Sequence, residues 1–310
     1  MKASSLHRNA EIAVVMLTMN QKDKTLRSLE SFREVKEPPC RVLVWDNGSA
    51  DGTEEAVRAA HPEVLFHHSP LNLGVAGGRN AGAEKAIRDI NPTYLLFIDN
   101  DIVVTPGFLL PLLEPFLNDP EIGQTSAKIR FLRGPDRLNA AGGARINFIL
   151  GTTTVIGIGE MDRGQYDQPG ECIANGGCTL VRRDVFESMG GFDTRFNPYG
   201  PEDLDFSLRV RKSGFRCLYV PSSLVYHDPS RTSVGDRYND VSYATRKARN
   251  WMNMLFKHAS LPEKAGFFLV GIPYAVVRVF FRGGRAGNLD ALRGLWRGTV
   301  NYLKSAFQRG

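Results

Sequence analysis

The sequence contains no CxxC pair and no zinc-type cysteine doublet; Cys40, Cys172, Cys178 and Cys217 are scattered along the chain. That spacing argues against a structural zinc site or a disulfide framework and reads as buried thiols of a reducing compartment. No apolar run reaches the length of a membrane-spanning helix. The nearest, Gly266 to Phe281, is about 16 residues long and carries Pro273 and Arg278, where about 20 apolar residues are needed. Met1 to Glu11 is polar and Ile12–Leu17 is too short for a signal core, so no secretory leader is expected. There is no GxGxxG after the first apolar run and no P-loop lysine, which argues against a dinucleotide fingerprint and a P-loop. No internal repeat is visible.

What is present is an ordinary globular composition. Of 310 residues, 42% are hydrophobic and 23% charged, so neither global disorder nor a coiled coil fits. The net charge of +6 is uneven. Residues 231–310 hold 14 Lys+Arg against 4 Asp+Glu, a net of +10, whereas residues 1–230 hold 25 against 29, a net of −4. A basic, apolar tail on a slightly acidic body points to an anionic partner, either nucleic acid or a membrane surface.

The first hundred residues alternate strand and helix signals. Ile12–Leu17, Val42–Trp45, Val64–Phe66 and Leu95–Ile98 read as strands. Leu26, Leu29 and Phe32 recur at helical spacing, a helix capped by Thr53 with Glu55 nearby follows, and Ala76–Ile90 reads as another helix. Such alternation predicts an α/β fold with a mostly parallel sheet and crossover helices. Ligands of these sheets bind beyond the carboxyl ends of the strands. Thr18-Met19-Asn20, Asp46-Asn47-Gly48 and Asp99-Asn100-Asp101 occupy those places. The stretch from about Gly134 to Glu171 is Gly-rich, polar and weakly periodic, and reads as an insertion or flexible loop. Periodicity returns at Cys178–Val181, continues in a short helix to Met189, turns at Gly190-Gly191-Phe192-Asp193, and resumes in a helix over Leu204–Lys212. A strand Cys217–Val220 is closed by Pro221, and the tail from Tyr238 is helical, with Trp251, Met254 and Leu255 on one face.

Several groups carry chemistry. Asp99 and Asp101 follow an apolar strand, where two carboxylates can hold a hard divalent cation, although acidic turns are also common in solvent. Asp46 can accept hydrogen bonds from a base or ribose, or simply close an Asx turn. Asn72 to Gly82 is a Gly-rich loop entering a helix; its amides, with Arg79, suit phosphate, or the glycines serve close packing. Glu202, Asp203 and Asp205 open a helix, as a general base or as dipole-favoured first-turn acids. His227 is a metal ligand or an ordinary loop residue.

Together these fragments form a pattern. Val15–Asn20, Val44–Gly52, Asn72-Leu73-Gly74 with Arg79–Gly82, Asp99-Asn100-Asp101, Gly190–Asp193 and Glu202–Asp205 appear in order. The order resembles family 2 of the inverting glycosyltransferases, over about residues 11–228, and most closely its bacterial rhamnosyltransferase and galactofuranosyltransferase branch. The resemblance implies a GT-A fold: a Rossmann-like, mostly parallel sheet flanked by helices, here with a basic amphipathic helical C-terminal tail. It implies a catalytic domain over residues 11–230, with a nucleotide-sugar half (11–130) and an acceptor half (131–230), followed by a helical region over 231–310. Carried over by position, Thr18 and Asp46 contact base and ribose. Arg79 and adjacent glycines such as Gly78 lie near the diphosphate. Asn20, Asn47, Asp99 and Asn100 fall on the donor side. Asp99 and Asp101 occupy the DxD positions for Mg²⁺ or Mn²⁺, with Asp101 the direct ligand and His227 a further one. Asp203 matches the catalytic base, flanked by Glu202 and Asp205 on the acceptor or supporting side. Met19 stands where many members carry an aromatic residue.

The implied reaction is single displacement with inversion, moving a sugar from a UDP- or dTDP-linked donor to a saccharide or lipid-linked acceptor in bacterial cell-surface polysaccharide or glycolipid synthesis. The implied location is cytoplasmic, peripheral on the inner face of the plasma membrane, with no nucleic-acid partner. In the tail, Phe267-Phe268-Leu269-Val270 and Phe280-Phe281 supply apolar area, and Arg278, Arg282, Arg285, Arg293 and Arg297 supply charge, for a membrane surface or for packing on the core. Competing readings are a sugar-nucleotide pyrophosphorylase, which carries a basic Gly-rich loop after its first strand; a glycoside hydrolase, which needs only paired carboxylates; and a non-catalytic nucleotide-sugar-binding protein.

Overall fold

The computed structural model of the chain describes residues 11–174, 176–229, 241–282 and 285–307. It divides into two compact units. One is the chain up to Ala144 together with Val155–Asp228; the other is Arg145–Thr154 together with the chain from Pro229 onward.

The first unit opens with β1 (Ile12–Thr18), α1 (Lys22–Phe32), β2 (Cys40–Asp46), α2 (Thr53–Ala60), β3 (Leu65–His68), α3 (Gly74–Ile90) and β4 (Tyr94–Asp99). β1 lies between β2 and β4, parallel to both, and β3 extends the sheet in parallel beside β2. The apolar runs become strands because both faces are covered: Ile12, Val14 and Met16 enter one core, and Ala13 and Val15 the other. α1 buries Thr25, Ser28, Leu29 and Phe32, one helical stripe. α3 approaches the sheet on small residues. A Cβ on Gly78 would lie 2.5 Å from Leu17 Cδ1, and one on Gly82 would lie 2.8 Å from Val15 Cγ1.

The chain continues with β5 (Ile102–Val104), α4 (Leu109–Asn118), β6 (Ile122–Phe131), β7 (Leu138–Ala140), β8 (Ala144–Asn147), β9 (Thr152–Val155), β10 (Gly170–Glu171), β11 (Cys178–Arg182), α5 (Arg183–Ser188), α6 (Glu202–Lys212) and β12 (Arg216–His227), all in the first unit except the parts of β8 and β9 within residues 145–154, which belong to the second. The strand order along the sheet is β10-β12-β6-β11-β4-β1-β2-β3. β8 and β9 form a separate two-stranded ladder.

Three sequence expectations need correction. Thr53 is not the cap of α2: Gly52 is, with φ +78, and the Thr53 amide and hydroxyl both donate to Asp51. The stretch 134–171 is not featureless, since it holds β7 to β10, and Asp162 (side chain 1% exposed) ties its loop to Lys128 and Arg130 of β6. Pro221 does not end its strand. The β12–β6 register shifts between Val220 and Leu224, a bulge that absorbs the missing amide, and the strand runs on to His227.

The second unit contains α7 (Val241–His258), α8 (Leu261–Gly266), a π-helical turn (Phe267–Gly271), α9 (Ile272–Arg282) and α10 (Arg285–Phe307). Tyr238 lies outside the described residues, as do the side chains of Phe280, Phe281, Arg282 and Arg285. Met252, Leu255, Ala259 and Phe267 form its core, with Phe148 and Trp251 packed on them. From Ala265 to Val277 no residue is charged, and the exposed ones are Ala265, Phe268, Leu269, Val270, Pro273, Tyr274, Val276 and Val277. Among the described residues, no helix is long and apolar enough to cross a membrane.

Candidate active site

The carboxyl ends of β1, β2 and β4 bring the three polar turns together. Thr18 is in register with Asp46, and Leu17 with Asp99. Asn100 donates from Nδ2 to the hydroxyls of Thr18 (3.1 Å) and Thr25 (3.0 Å). The Asn47 amide donates to the Thr18 carbonyl (2.9 Å). Asn20, in the left-handed region at φ +50, receives the Ala50 amide (2.8 Å) and donates its own amide to Ser49 Oγ (2.8 Å). Thr18, Asn47 and Asn100 are buried and occupied with one another, so they build the rim; Asn20 remains at its surface.

Asp46 is fully enclosed. Its Oδ1 accepts from the amide (3.0 Å) and hydroxyl (2.5 Å) of Ser49, and its Oδ2 lies 2.7 Å from Nδ1 of His68 at the end of β3. In this arrangement the half-exposed imidazole of His68, rather than Asp46, reaches the surface. Sequence reading missed His68, because only pairing of β2 with β3 brings it beside Asp46.

The Gly-rich loop departs from a phosphate cradle. The amides at the start of α3 already have partners: Gly74 donates to Asn72 Oδ1 (2.8 Å), Val75 to the Pro198 carbonyl (2.8 Å) and Ala76 to Asn197 Oδ1 (3.1 Å). Gly78 packs on Leu17 and Asn47. Of the two roles open to this loop, close packing is the one its geometry serves. Asn80 then clamps the Gly-Gly-Phe-Asp turn, exchanging hydrogen bonds of 2.8 Å with both the amide and the carbonyl of Phe192.

Arg79 is the hub of the site. Its buried guanidinium donates to Asp99 Oδ1 (2.6 Å) and Glu202 Oε1 (3.0 Å) and lies 5.6 Å from the centre of the Phe192 ring. Burial opposes its charge, but Asp99, Glu202 and Asp203 together outweigh burial and keep it protonated. Burial first, then the Asp203 charge, push the Glu202 carboxyl well above the usual range. Burial likewise raises Asp203, against the pull of Arg79 and of two backbone amides. Those amides belong to Gly176, which donates to Oδ2, and Leu204, which donates to Oδ1 (2.8 Å). Gly176 was not legible as a site residue; a Cβ there would lie 3.0 Å from Asp203 Oδ2. Asp205 is fully buried and pairs with Arg209 (2.9 Å), whose other nitrogens hold the carbonyls of Met189 and Gly191. It supports α6 from within.

A second cluster surrounds Asp101. The continued β12 sets His227 opposite Ile102, and His227 Nε2 lies 3.2 Å from Asp101 Oδ1. Lys24 of α1 lies 3.3 Å from Asp101 Oδ2. Burial alone would raise the Asp101 carboxyl, but His227 and Lys24 prevail and hold it below the usual range. Two cis ligands of an octahedral ion with bonds of about 2.1 Å sit about 3 Å apart, so the Asp101–His227 spacing fits a shared divalent ion. Asp99 instead turns to Arg79. Among the described residues, no three His, Cys, Asp or Glu side chains gather into a metal cluster. Asp101 and His227, which share a hydrogen bond, are the pair with donor atoms at that spacing.

The profile described as Glycosyl transferase family 2 matches residues 13–190, and one described as N-terminal domain of galactosyltransferase matches residues 160–228. The N-acetylglucosaminyl-diphospho-decaprenol L-rhamnosyltransferase of Mycobacterium tuberculosis is 27% identical over 244 residues, covering 73% of this chain and 78% of that one. Among solved structures, GalNAc-T7 with UDP, GalNAc and Mn²⁺ superposes with a TM-score of 0.65 at 17% identity over 95% of this chain. This chain spans just over half (56%) of that structure's length. The mannosyltransferase PcManGT from Pyrobaculum calidifontis, in complex with GDP-Man and Mn²⁺, superposes with a TM-score of 0.55 at 16% identity, covering 96% and 86% of the two chains. The family match takes in more than half of the sequence, and the chain belongs to glycosyl transferase family 2: it is a glycosyltransferase with the GT-A fold.

Proposed function

We propose that this glycosyltransferase moves a sugar from a nucleotide-diphosphate donor to an acceptor hydroxyl by metal-assisted single displacement with inversion, with Asp203 as general base. The observation that carries the reading is geometric. Arg79 binds Asp99 and Glu202 at once, which brings the strand end that carries the Asp99-Asn100-Asp101 turn against the helix that carries Asp203.

Asp101 and His227 are the residues that would hold Mg²⁺ or Mn²⁺. When bound, the ion would offset the negative charge that develops on the leaving diphosphate. The protein's own contribution follows from its contacts. Arg79 fixes Asp99 against Glu202, and the Gly176 and Leu204 amides aim Asp203. A carboxylate held this way can accept the acceptor's hydroxyl proton as the oxygen attacks. Its raised proton affinity makes it a better base than an ordinary aspartate. Residues 11–130 are assigned to the donor and 131–230 to the acceptor.

The acceptor is proposed to be lipid-linked, and the work to be synthesis of a cell-surface polysaccharide or glycolipid on the inner face of the plasma membrane. The rhamnosyltransferase relative is named for N-acetylglucosaminyl-diphospho-decaprenol, a lipid-linked sugar. In the second unit, Leu269 (77% exposed), Val276 and Val277 offer an uncharged face bracketed in sequence by Lys264 and Arg278. An apolar face with basic flanks suits an anionic lipid surface.

The donor reading is tested by a thermal-stabilisation screen of UDP-, dTDP- and GDP-sugars with and without Mn²⁺. A metal-dependent rise in melting temperature with at least one of them is expected. No stabilisation by any nucleotide-sugar in the presence of Mn²⁺ would overturn it.

A further inference from the structure

Lys24 has no role in the reading above, yet it occupies a place that matters to it. It stands in the first turn of α1, and its ammonium crosses to Asp101 Oδ2 (3.3 Å) and to the backbone carbonyl of Asp228 (2.6 Å). Its side chain is 19% exposed, and that of Asp101 17%. The two oxygens of Asp101 are thus divided, Oδ1 to His227 and Oδ2 to Lys24. The anchor is itself fixed. The Asp228 amide donates to the Asp101 carbonyl (2.9 Å), and its buried carboxylate is held by Arg27 (2.6 Å) and Arg133 (3.3 Å).

A fixed ammonium therefore lies on the carboxylate proposed to take the divalent ion. A cation that binds Asp101 meets the positive charge of Lys24 at close range, with Arg27 and Arg133 one residue beyond. Like charges at such spacing in a half-buried site repel strongly. An incoming diphosphate carries enough negative charge to satisfy both the ion and the ammonium.

We propose that Lys24 is the resident counter-cation of Asp101, and that it makes divalent-ion binding depend on the nucleotide diphosphate. Without the diphosphate, Lys24 neutralises Asp101 and keeps the ion weakly held; with it, ion and diphosphate bind together. This rests on the assignment of Asp101 as a metal ligand. Because binding linkage is reciprocal, the same residue makes the diphosphate depend on the ion.

The test titrates the full chain with Mn²⁺ in the absence of nucleotide, with free ion read by electron paramagnetic resonance. Lys24→Met should bind Mn²⁺ at least about tenfold more tightly than the wild type, a coupling within the ordinary range of linked sites. Lys24→Arg, which keeps the charge, should stay close to wild type. Equal or weaker binding by Lys24→Met overturns the proposal while leaving Asp101 a ligand. Absence of Mn²⁺ binding in every form, with and without UDP or GDP, removes the metal reading and this proposal together. If Lys24→Met does not fold, the wild type answers alone. Acylation of Lys24, followed by mass spectrometry, should rise at saturating Mn²⁺ as the ammonium is displaced; unchanged labelling overturns the proposal.

Discussion

Arg79 on α3 reaches Glu202 on α6 across 3.0 Å, with both side chains 6% exposed. The same guanidinium holds Asp99 at the end of β4. One side chain thus joins the end of β4 to the helix that carries Asp203. Removing one partner of a buried ion pair costs about 3–5 kcal/mol, because a charge is left unpaired. Arg79→Met should therefore lose roughly that much stability, read from urea unfolding. Arg79→Lys should not restore activity, since a point charge cannot serve two carboxylates in a fork. Full activity in Arg79→Lys would show that the charge alone matters.

The pH dependence has a definite sign. Burial and neighbouring charge raise the Glu202 and Asp203 carboxyls in the folded protein. The folded state therefore keeps a proton that the unfolded chain has lost. That contribution to stability is complete below the ordinary carboxylate range and fades as pH rises through the elevated folded values. Urea midpoints should fall from pH 5 toward pH 8, and Glu202→Gln should flatten the slope. The acid limb of kcat/KM should lie above the ordinary aspartate value of about 3.9, and Asp99→Asn should move it to lower pH by removing a negative neighbour that helps raise Asp203. A limb unmoved by that variant would detach Asp99 from Asp203.

Gly78→Ala separates packing from donor contact. Its Cβ would press on Leu17 and Asn47, at 2.5 and 2.9 Å. Overpacking of this kind costs typically about 1–3 kcal/mol. The variant should melt earlier yet bind nucleotide like wild type under folding conditions. Lost nucleotide affinity without lost stability would return Gly78 to the donor site.

The face on the second unit predicts vesicle binding. Each buried aliphatic side chain contributes about 1.5–3 kcal/mol. Replacing Leu269, Val276 and Val277 together by Ser should weaken flotation with anionic liposomes by about a hundredfold even for partial insertion. Raised salt should weaken it further by screening the basic flanks. Equal failure of the wild type and of a chain cut near residue 260 to bind anionic vesicles would end the membrane reading.

Much of the first hundred residues was readable from the sequence because short apolar runs with polar turns at their ends need only local pattern. β1, β2 and β4 lie where Ile12–Leu17, Val42–Trp45 and Leu95–Ile98 predict them, each one to three residues longer. The middle of the chain was opaque for a physical reason. β9 is Thr152–Val155, with polar and largely uncovered side chains, so it pairs through backbone without an alternating apolar face. β12 was cut short at Pro221 because its bulge is a property of pairing with β6. The same bulge brings His227 to Asp101, which no local rule predicts. Lys24, His68 and Gly176 were missed likewise: each meets its partner across 77, 22 or 27 positions. The motifs themselves were in view, but packing decided their division of labour. Thr18, Asp46, Asn47 and Asn100 bond to their neighbours along the rim, while Arg79 pairs with Asp99 and Glu202.

In the proposed mechanism Asp203 is the group that takes the acceptor proton. The measurement that tests this most directly compares Asp203→Asn with wild type for turnover and for donor affinity in the same preparations. Turnover should fall by about 10²–10⁴-fold, the usual worth of general-base help, while donor affinity is retained. Wild-type turnover in Asp203→Asn would contradict the mechanism.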